Sequence, residues 1–211
     1  TLPAIASAVE DEQYKFIEFD IMYTRDKEIV VHHDASLLRM QQKTYDIRNL
    51  TYEELREVSN YSIPLYREVM DIISDKKKMN IEIKSSGDFV LDGGLVDYVV
   101  ADLGERGVLK NAMISSISSD VIKYVSEKYP EIKTGKIYWV TYSTFIPFDF
   151  LTEELYMEMN ETGADYLMLH GSNIGNIDRI MGLKPADKTV VIWYFNNEIY
   201  IIQKDETDRL W

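Results

Sequence analysis

Two short runs of this 211-residue chain carry acidic side chains at a spacing that can do chemistry. In Phe16-Ile17-Glu18-Phe19-Asp20-Ile21, a period of two puts Ile17, Phe19 and Ile21 on one face of an extended segment. Glu18 and Asp20 share the other face, roughly 7 Å apart along the strand. Asn80-Ile81-Glu82-Ile83-Lys84 repeats the arrangement, with Ile81 and Ile83 on one side and Glu82 and Lys84 on the other. Carboxylates sharing an inward face repel unless a cation or a proton sits between them. Three of them from two strands make a hard oxygen site of the kind Mg²⁺ or Ca²⁺ prefers. The competing reading is a solvated face on which Glu and Lys form surface pairs. Recurrence of the pattern in a chain of parallel βα units, whose strands are normally covered on both faces, favours the metal site.

A third run, Val30-Val31-His32-His33-Asp34, adds a group that titrates near neutrality. A histidine beside a metal-bound phosphate can serve as general acid or base. Alternation alone does not choose between His32 and His33.

The elements that must position these groups follow from periodicity and turn chemistry. Strands are expected at Tyr14–Met22, Met79–Lys84, Ala112–Ser116, Lys136–Val140, Asp165–Leu169 and Thr189–Phe195. Helices lie between them. Thr51 and Glu54 make a capping-box signature ahead of Leu55 and Val58. Pro64 suits the first turn of a helix through Val69, Ile72 and Ile73. Ser119 is placed to cap a helix carrying Val121, Ile122 and Val125, which Pro130 stops. Alternating strands and helices mean parallel units. Glu28–His33 breaks the pattern, because it follows the first strand after only Thr24-Arg25-Asp26-Lys27. A parallel crossover needs about a dozen residues or more, so this pair is expected to be an antiparallel hairpin.

Composition narrows the function further. Asp plus Glu number 36 against 23 Lys plus Arg, a net charge of −13, which argues against binding a nucleic-acid backbone through a basic surface. An anionic substrate stays possible because a bound divalent cation inverts the local field. The chain has no cysteine, which excludes disulfides, thiolate nucleophiles and zinc–thiolate sites. Apolar runs such as Val190 to Phe195 are far too short to cross a bilayer. No linker or repeat divides the chain, so residues 1–211 read as one domain.

Taken in order, these runs resemble the glycerophosphodiester phosphodiesterase family. Ile17-Glu18-Phe19-Asp20, Thr24-Arg25-Asp26 and Val30-Val31-His32-His33-Asp34 with Leu37 and Arg39 match the family pattern of Ile-Glu-x-Asp, Thr-x-Asp and Val-Val-x-His-Asp. Ile63-Pro64-Leu65, Ile81-Glu82-Ile83-Lys84, Ile114-Ser115-Ser116 and Trp193-Tyr194-Phe195-Asn196 continue it. The resemblance implies a TIM-type (β/α) barrel with a β-hairpin insertion after the second barrel strand. It implies metal ligands at Glu18, Asp20 and Glu82, a catalytic histidine at His33, and substrate contacts from Lys84 and Trp193. The implied activity is metal-dependent hydrolysis of a small-molecule glycerophosphodiester to glycerol 3-phosphate and an alcohol, with Mg²⁺ or Ca²⁺ as cofactor. His170 matches no family role and reads as a loop residue.

Two family elements are missing from this sequence: the opening His-Arg-Gly strand and the final strand ending in Thr-Asp-Arg-Pro. Thr207-Asp208-Arg209-Leu210 mimics the latter but falls too soon after Trp193 and is read as helix. About six barrel strands remain where a closed barrel has eight. The expectation is therefore an incomplete barrel, a fragment with impaired catalysis, whose open edges either pair in a homodimer or are filled by its own termini. The alternatives are a related barrel phospholipase acting on lipid phosphodiesters, with the aromatic stretch Tyr138 to Phe150 facing a membrane, or a degenerate binding barrel. Compartment is left open between cytoplasmic and cell-surface or membrane-attached.

Overall fold

The computed structural model describes residues 1–138 and 147–193, and the backbone of residues 199–202. Two compact units are recognised, Thr1–Met113 and Ile114–Trp211.

The first unit contains α1 (Leu2–Glu10), β1 (Phe16–Tyr23), β2 (Ile29–Val31), α2 (Leu38–Gln41), α3 (Tyr52–Val58), α4 (Tyr66–Ile73), β3 (Lys78–Ile83) and α5 (Phe89–Glu105). Strands β1 and β3 run parallel, with Glu18 opposite Asn80 and Asp20 opposite Glu82. Strand β2 joins the far end of β1 antiparallel, with Ile21 opposite Val31, as the short connection through residues 24–28 requires. Thr24 closes that turn: its N–H donates to Glu28 O at 2.9 Å and its hydroxyl to Asp26 Oδ1 at 2.6 Å. The hairpin is anchored from below by an apolar cluster in which Met22, Val30 and Leu37 meet Leu55 and Ile63. Helix α3 carries the expected box, the Thr51 side chain accepting from Glu54 N–H while Glu54 accepts from Thr51 N–H.

Strand β4 (Ala112–Ser116) runs through the boundary between the units. The second unit contains α6 (Ser119–Lys128), β5 (Lys133–Tyr138), α7 (Phe148–Thr162), β6 (Tyr166–His170), α8 (Ile177–Gly182), β7 (Thr189–Trp193) and β8 (Ile199–Ile202). Strands β5, β6 and β7 are parallel neighbours. On their helix side, Tyr138, Leu167, Leu169, Val190 and Ile192 pack with Ile122, Tyr156 and Met159. Helix α7 ends at Gly163, whose φ of 72° is the left-handed conformation that favours glycine.

Some boundaries differ from expectation. Strand β1 begins at Phe16, because Tyr14 is exposed and contributes nothing to the sheet face. Helix α4 begins after Leu65, so Pro64 precedes the cap, and the Glu68 carboxylate accepts from Leu65 N–H at 2.8 Å. Helix α6 is capped by Ser118 rather than Ser119, its hydroxyl accepting from Val121 N–H at 3.3 Å. Strand β8 was not anticipated. It lies antiparallel on β7, so that this β7 edge is paired within the chain. Val140, Phe195 and Thr207–Asp208–Arg209 lie outside the described residues, as do Trp139, Tyr142 and Phe145. Among the described residues no helix is long and apolar enough to cross a membrane.

Candidate functional site

The parallel register of β1 and β3 turns two separate sequence patterns into one cluster. Alternation sends Ile17, Phe19, Ile81 and Ile83 into the apolar packing, and all four are buried. Glu18, Asp20 and Glu82 share the opposite face, and one carboxylate oxygen from each lies within 4.8 Å of the others. Lys84 extends the same ladder by one step, its N–H donating to Ile21 O at 3.0 Å. Its ammonium lies 2.8 Å from Asp20 Oδ1 and also hydrogen-bonds Glu82 Oε1. Asp20 Oδ1 is buried, and the Lys84 charge stands directly against it.

One ammonium facing three carboxyl groups leaves excess negative charge in a dry place. Burial, and then the charges of Asp20 and Glu82, push the Glu18 carboxyl well above its usual range. Burial and Asp20 push Glu82 up to about 7. Burial works against the Lys84 ammonium, but Asp20 and Glu82 outweigh it and hold its pKa above the ordinary lysine value.

This donor set suits a hard cation. Two oxygens bound to one ion at roughly 2.0–2.6 Å can be no more than about 5 Å apart, which the cluster satisfies. The raised carboxyls of Glu18 and Glu82 are what a missing positive charge would produce.

The two adjacent histidines are in different settings. His32 is held by the strand: its N–H donates to Asp20 O at 3.0 Å, and its Nδ1 lies 2.9 Å from Asp34 O. Burial pulls its imidazole pKa down. His33 is half exposed, and its Nδ1 lies 2.6 Å from Asp34 Oδ1. Arg39 grips the same carboxylate through Nε to Oδ2 at 2.7 Å and Nη2 to Oδ1 at 3.1 Å. Burial alone would raise Asp34, but Arg39 and His33 together hold it below the usual range, so it stays ionised beside the ring. Such a carboxylate sets the His33 tautomer and leaves Nε2 for chemistry.

The role of Asp34 and Arg39 was missed by sequence reading, which saw them only as letters of a motif. Asp92 was missed altogether. It is 5% exposed, and accepts from Ser85 Oγ at 2.5 Å, Ser86 N–H at 2.8 Å and Ser86 Oγ at 2.7 Å, which fixes the segment immediately after Lys84. No local signal marks it, since the contact spans a turn and the start of α5.

In the second unit, His170 and Trp193 stand opposite each other at the ends of β6 and β7. Their rings meet edge to face with centroids 4.9 Å apart. His170 is the last residue of β6 and caps the following 3-10 turn by accepting from Ser172 N–H at 3.3 Å, so it belongs to the strand end rather than to a loop.

Comparison with known proteins bears on the family and the fold. A glycerophosphodiester phosphodiesterase of Caldanaerobacter subterraneus subsp. tengcongensis is 29% identical over 133 residues, 58% of this chain and 54% of that protein. Another, from Bacillus altitudinis, is 32% identical over 82 residues, 33% of this chain and 34% of that protein. The chain thus spans about half the length of the first relative and a third of the second. Among solved structures, the glycerophosphodiester phosphodiesterase of Thermotoga maritima superposes with a TM-score of 0.68 at 24% identity, over 93% of this chain and 80% of that one. A phosphodiesterase of Oleispira antarctica, solved with the product sn-glycerol-3-phosphate, superposes with a TM-score of 0.70 at 20% identity, over 92% and 77%. These likenesses establish the α/β fold of parallel strands and helices expected for an incomplete (β/α) barrel. With the sequence model of the glycerophosphoryl diester phosphodiesterase family matching residues 1–210, the chain belongs to that family.

Proposed function

We propose that the protein is a glycerophosphodiester phosphodiesterase that works with a divalent cation, Mg²⁺ or Ca²⁺, held by Glu18, Asp20 and Glu82. The observation that carries this reading is the approach of those three carboxylates within 4.8 Å on one buried strand face, beside Lys84. The bound ion supplies Lewis acidity and charge neutralisation to the phosphodiester.

The chain's own side chains do the rest. Lys84, kept protonated by Asp20 and Glu82, stabilises negative charge growing on the phosphate oxygens. His33 gives a proton from Nε2 to the departing alcohol oxygen, while Asp34, pinned by Arg39, stabilises the imidazolium before transfer. The neighbouring glycerol hydroxyl attacks phosphorus within the same molecule, a step favoured by proximity, and water then opens the cyclic phosphate to glycerol 3-phosphate. The proton of the attacking hydroxyl needs a base, a role that the family resemblance gives to a histidine of a His-Arg-Gly run that does not occur in these 211 residues.

The test is release of glycerol 3-phosphate from glycerophosphocholine by the protein. His33→Ala lowers turnover by roughly 10²-fold or more, the usual worth of a general acid. Turnover that survives His33→Ala and is lost in His32→Ala refutes the assignment.

A further inference from the structure

The carboxylate face of β3 carries a third polar residue that nothing above has used. Asn80 occupies the same side of the strand as Glu82 and Lys84, two residues before the first of them. It is 2% exposed, and its Oδ1 is a buried acceptor with no hydrogen-bond partner. Buried acceptors are almost always satisfied, because leaving one bare forfeits its hydration without return. An orphan in the middle of a strand, with its backbone groups in the ladder, therefore calls for a partner that arrives later.

The register says what that partner is. Asn80 is the direct neighbour of Glu18 across the parallel pair, just as Glu82 is the neighbour of Asp20. Adjacent strands are about 4.8 Å apart, so the short amide lies in the same layer as the Glu18 carboxyl. The face thus carries Asn80 Oδ1, buried and without a hydrogen-bond partner, in the layer of the Glu18 carboxyl. A cation held by the neighbouring carboxylates would satisfy it.

We propose that Asn80 is a fourth oxygen donor to the cation, its side-chain carbonyl completing the set formed by Glu18, Asp20 and Glu82. This rests on the reading of those three as metal ligands. A neutral fourth oxygen adds coordination without further repulsion, and it moves the site towards Ca²⁺, which takes six to eight oxygens, and away from Mg²⁺, which keeps several waters.

Calorimetric titration of the purified, chelator-treated chain with Ca²⁺ tests the assignment, together with its melting temperature before metal is added. Asn80→Leu, of similar volume and without the oxygen, binds Ca²⁺ roughly 10- to 100-fold more weakly. Its metal-free melting temperature does not fall, because an unsatisfied acceptor has been removed. Asn80→Asp keeps the oxygen and drops the N–H donors, and it binds at least as tightly as the native chain. Where Asn80→Leu does not fold, Asn80→Ala gives the same comparison. Unchanged affinity in Asn80→Leu, with Glu82→Gln no longer binding, overturns the role of Asn80 and leaves the three-carboxylate site standing. Loss in Asn80→Asp equal to that in Asn80→Leu also overturns it, since the amide then acts as an N–H donor positioning Glu18. A native chain that binds no Ca²⁺ overturns the site itself.

Discussion

Stripping divalent cations from the chain and comparing it with Glu82→Gln measures the strain stored in the carboxylate cluster. The Glu82 carboxyl moves from 4.5 to about 7, through burial first and Asp20 second. Between those values the native state holds more protons than the unfolded chain, so stability is full below about pH 4.5 and is lost as pH rises through 7. At about 1.4 kcal/mol per pH unit, the interval amounts to on the order of 3 kcal/mol. Glu18 is raised in the same sense and adds to the loss. His32 works the other way, because a buried imidazole with a lowered pKa loses stability as pH falls below 6.5. Asp34, lowered from 3.8, acts below the window. Comparison with the variant cancels these opposing groups. Urea unfolding in chelator at pH 5 and pH 7 should show the native chain losing about 2–3 kcal/mol more than Glu82→Gln over that interval. Saturating Ca²⁺ should remove the difference in slope, since it binds the ionised carboxylates and its stabilisation grows with pH. Parallel pH dependences for native and variant chains in chelator would refute the electrostatic argument.

Three further outcomes test the scaffold. Gly163→Ala should destabilise by about 1–3 kcal/mol in thermal unfolding, because φ is 72° and the new Cβ would lie 2.8 Å from Ser126 Oγ. Thr51→Ala should cost about 1 kcal/mol by removing half of the α3 capping box, read from the urea midpoint. Lys136 is buried beneath the Tyr138 ring, its ammonium 2.7 Å from Ile117 O and 3.6 Å from Glu158. Lys136→Met should therefore be neutral or stabilising, whereas Glu158→Gln should destabilise by about 1 kcal/mol or more by stranding the lysine; the reverse order in denaturant unfolding would contradict this.

Whatever depends on nearest neighbours along the chain was legible in the sequence. The alternation of Glu18, Asp20 and Glu82 with isoleucine and phenylalanine requires only the two-residue period of a strand. The β1–β2 hairpin follows from a connection too short for a crossover, and the Thr51–Glu54 box from a three-residue spacing. What joins distant segments was decided by tertiary structure. Strands β1 and β3 are some sixty residues apart, and only their packing sets the register that brings Asp20 opposite Glu82 and Glu18 opposite Asn80. The different settings of His32 and His33 also arise in the fold: Asp34, held by Arg39, meets the His33 ring through its carboxylate and His32 through its backbone oxygen. Asp92 gripping Ser85 and Ser86, and β8 covering the edge of β7, left no local mark either. A strand period belongs to the chain itself, but burial and charge neighbours exist only once the chain has folded. The raised carboxyls of Glu18 and Glu82, and the unsatisfied oxygen of Asn80, are therefore properties of the fold.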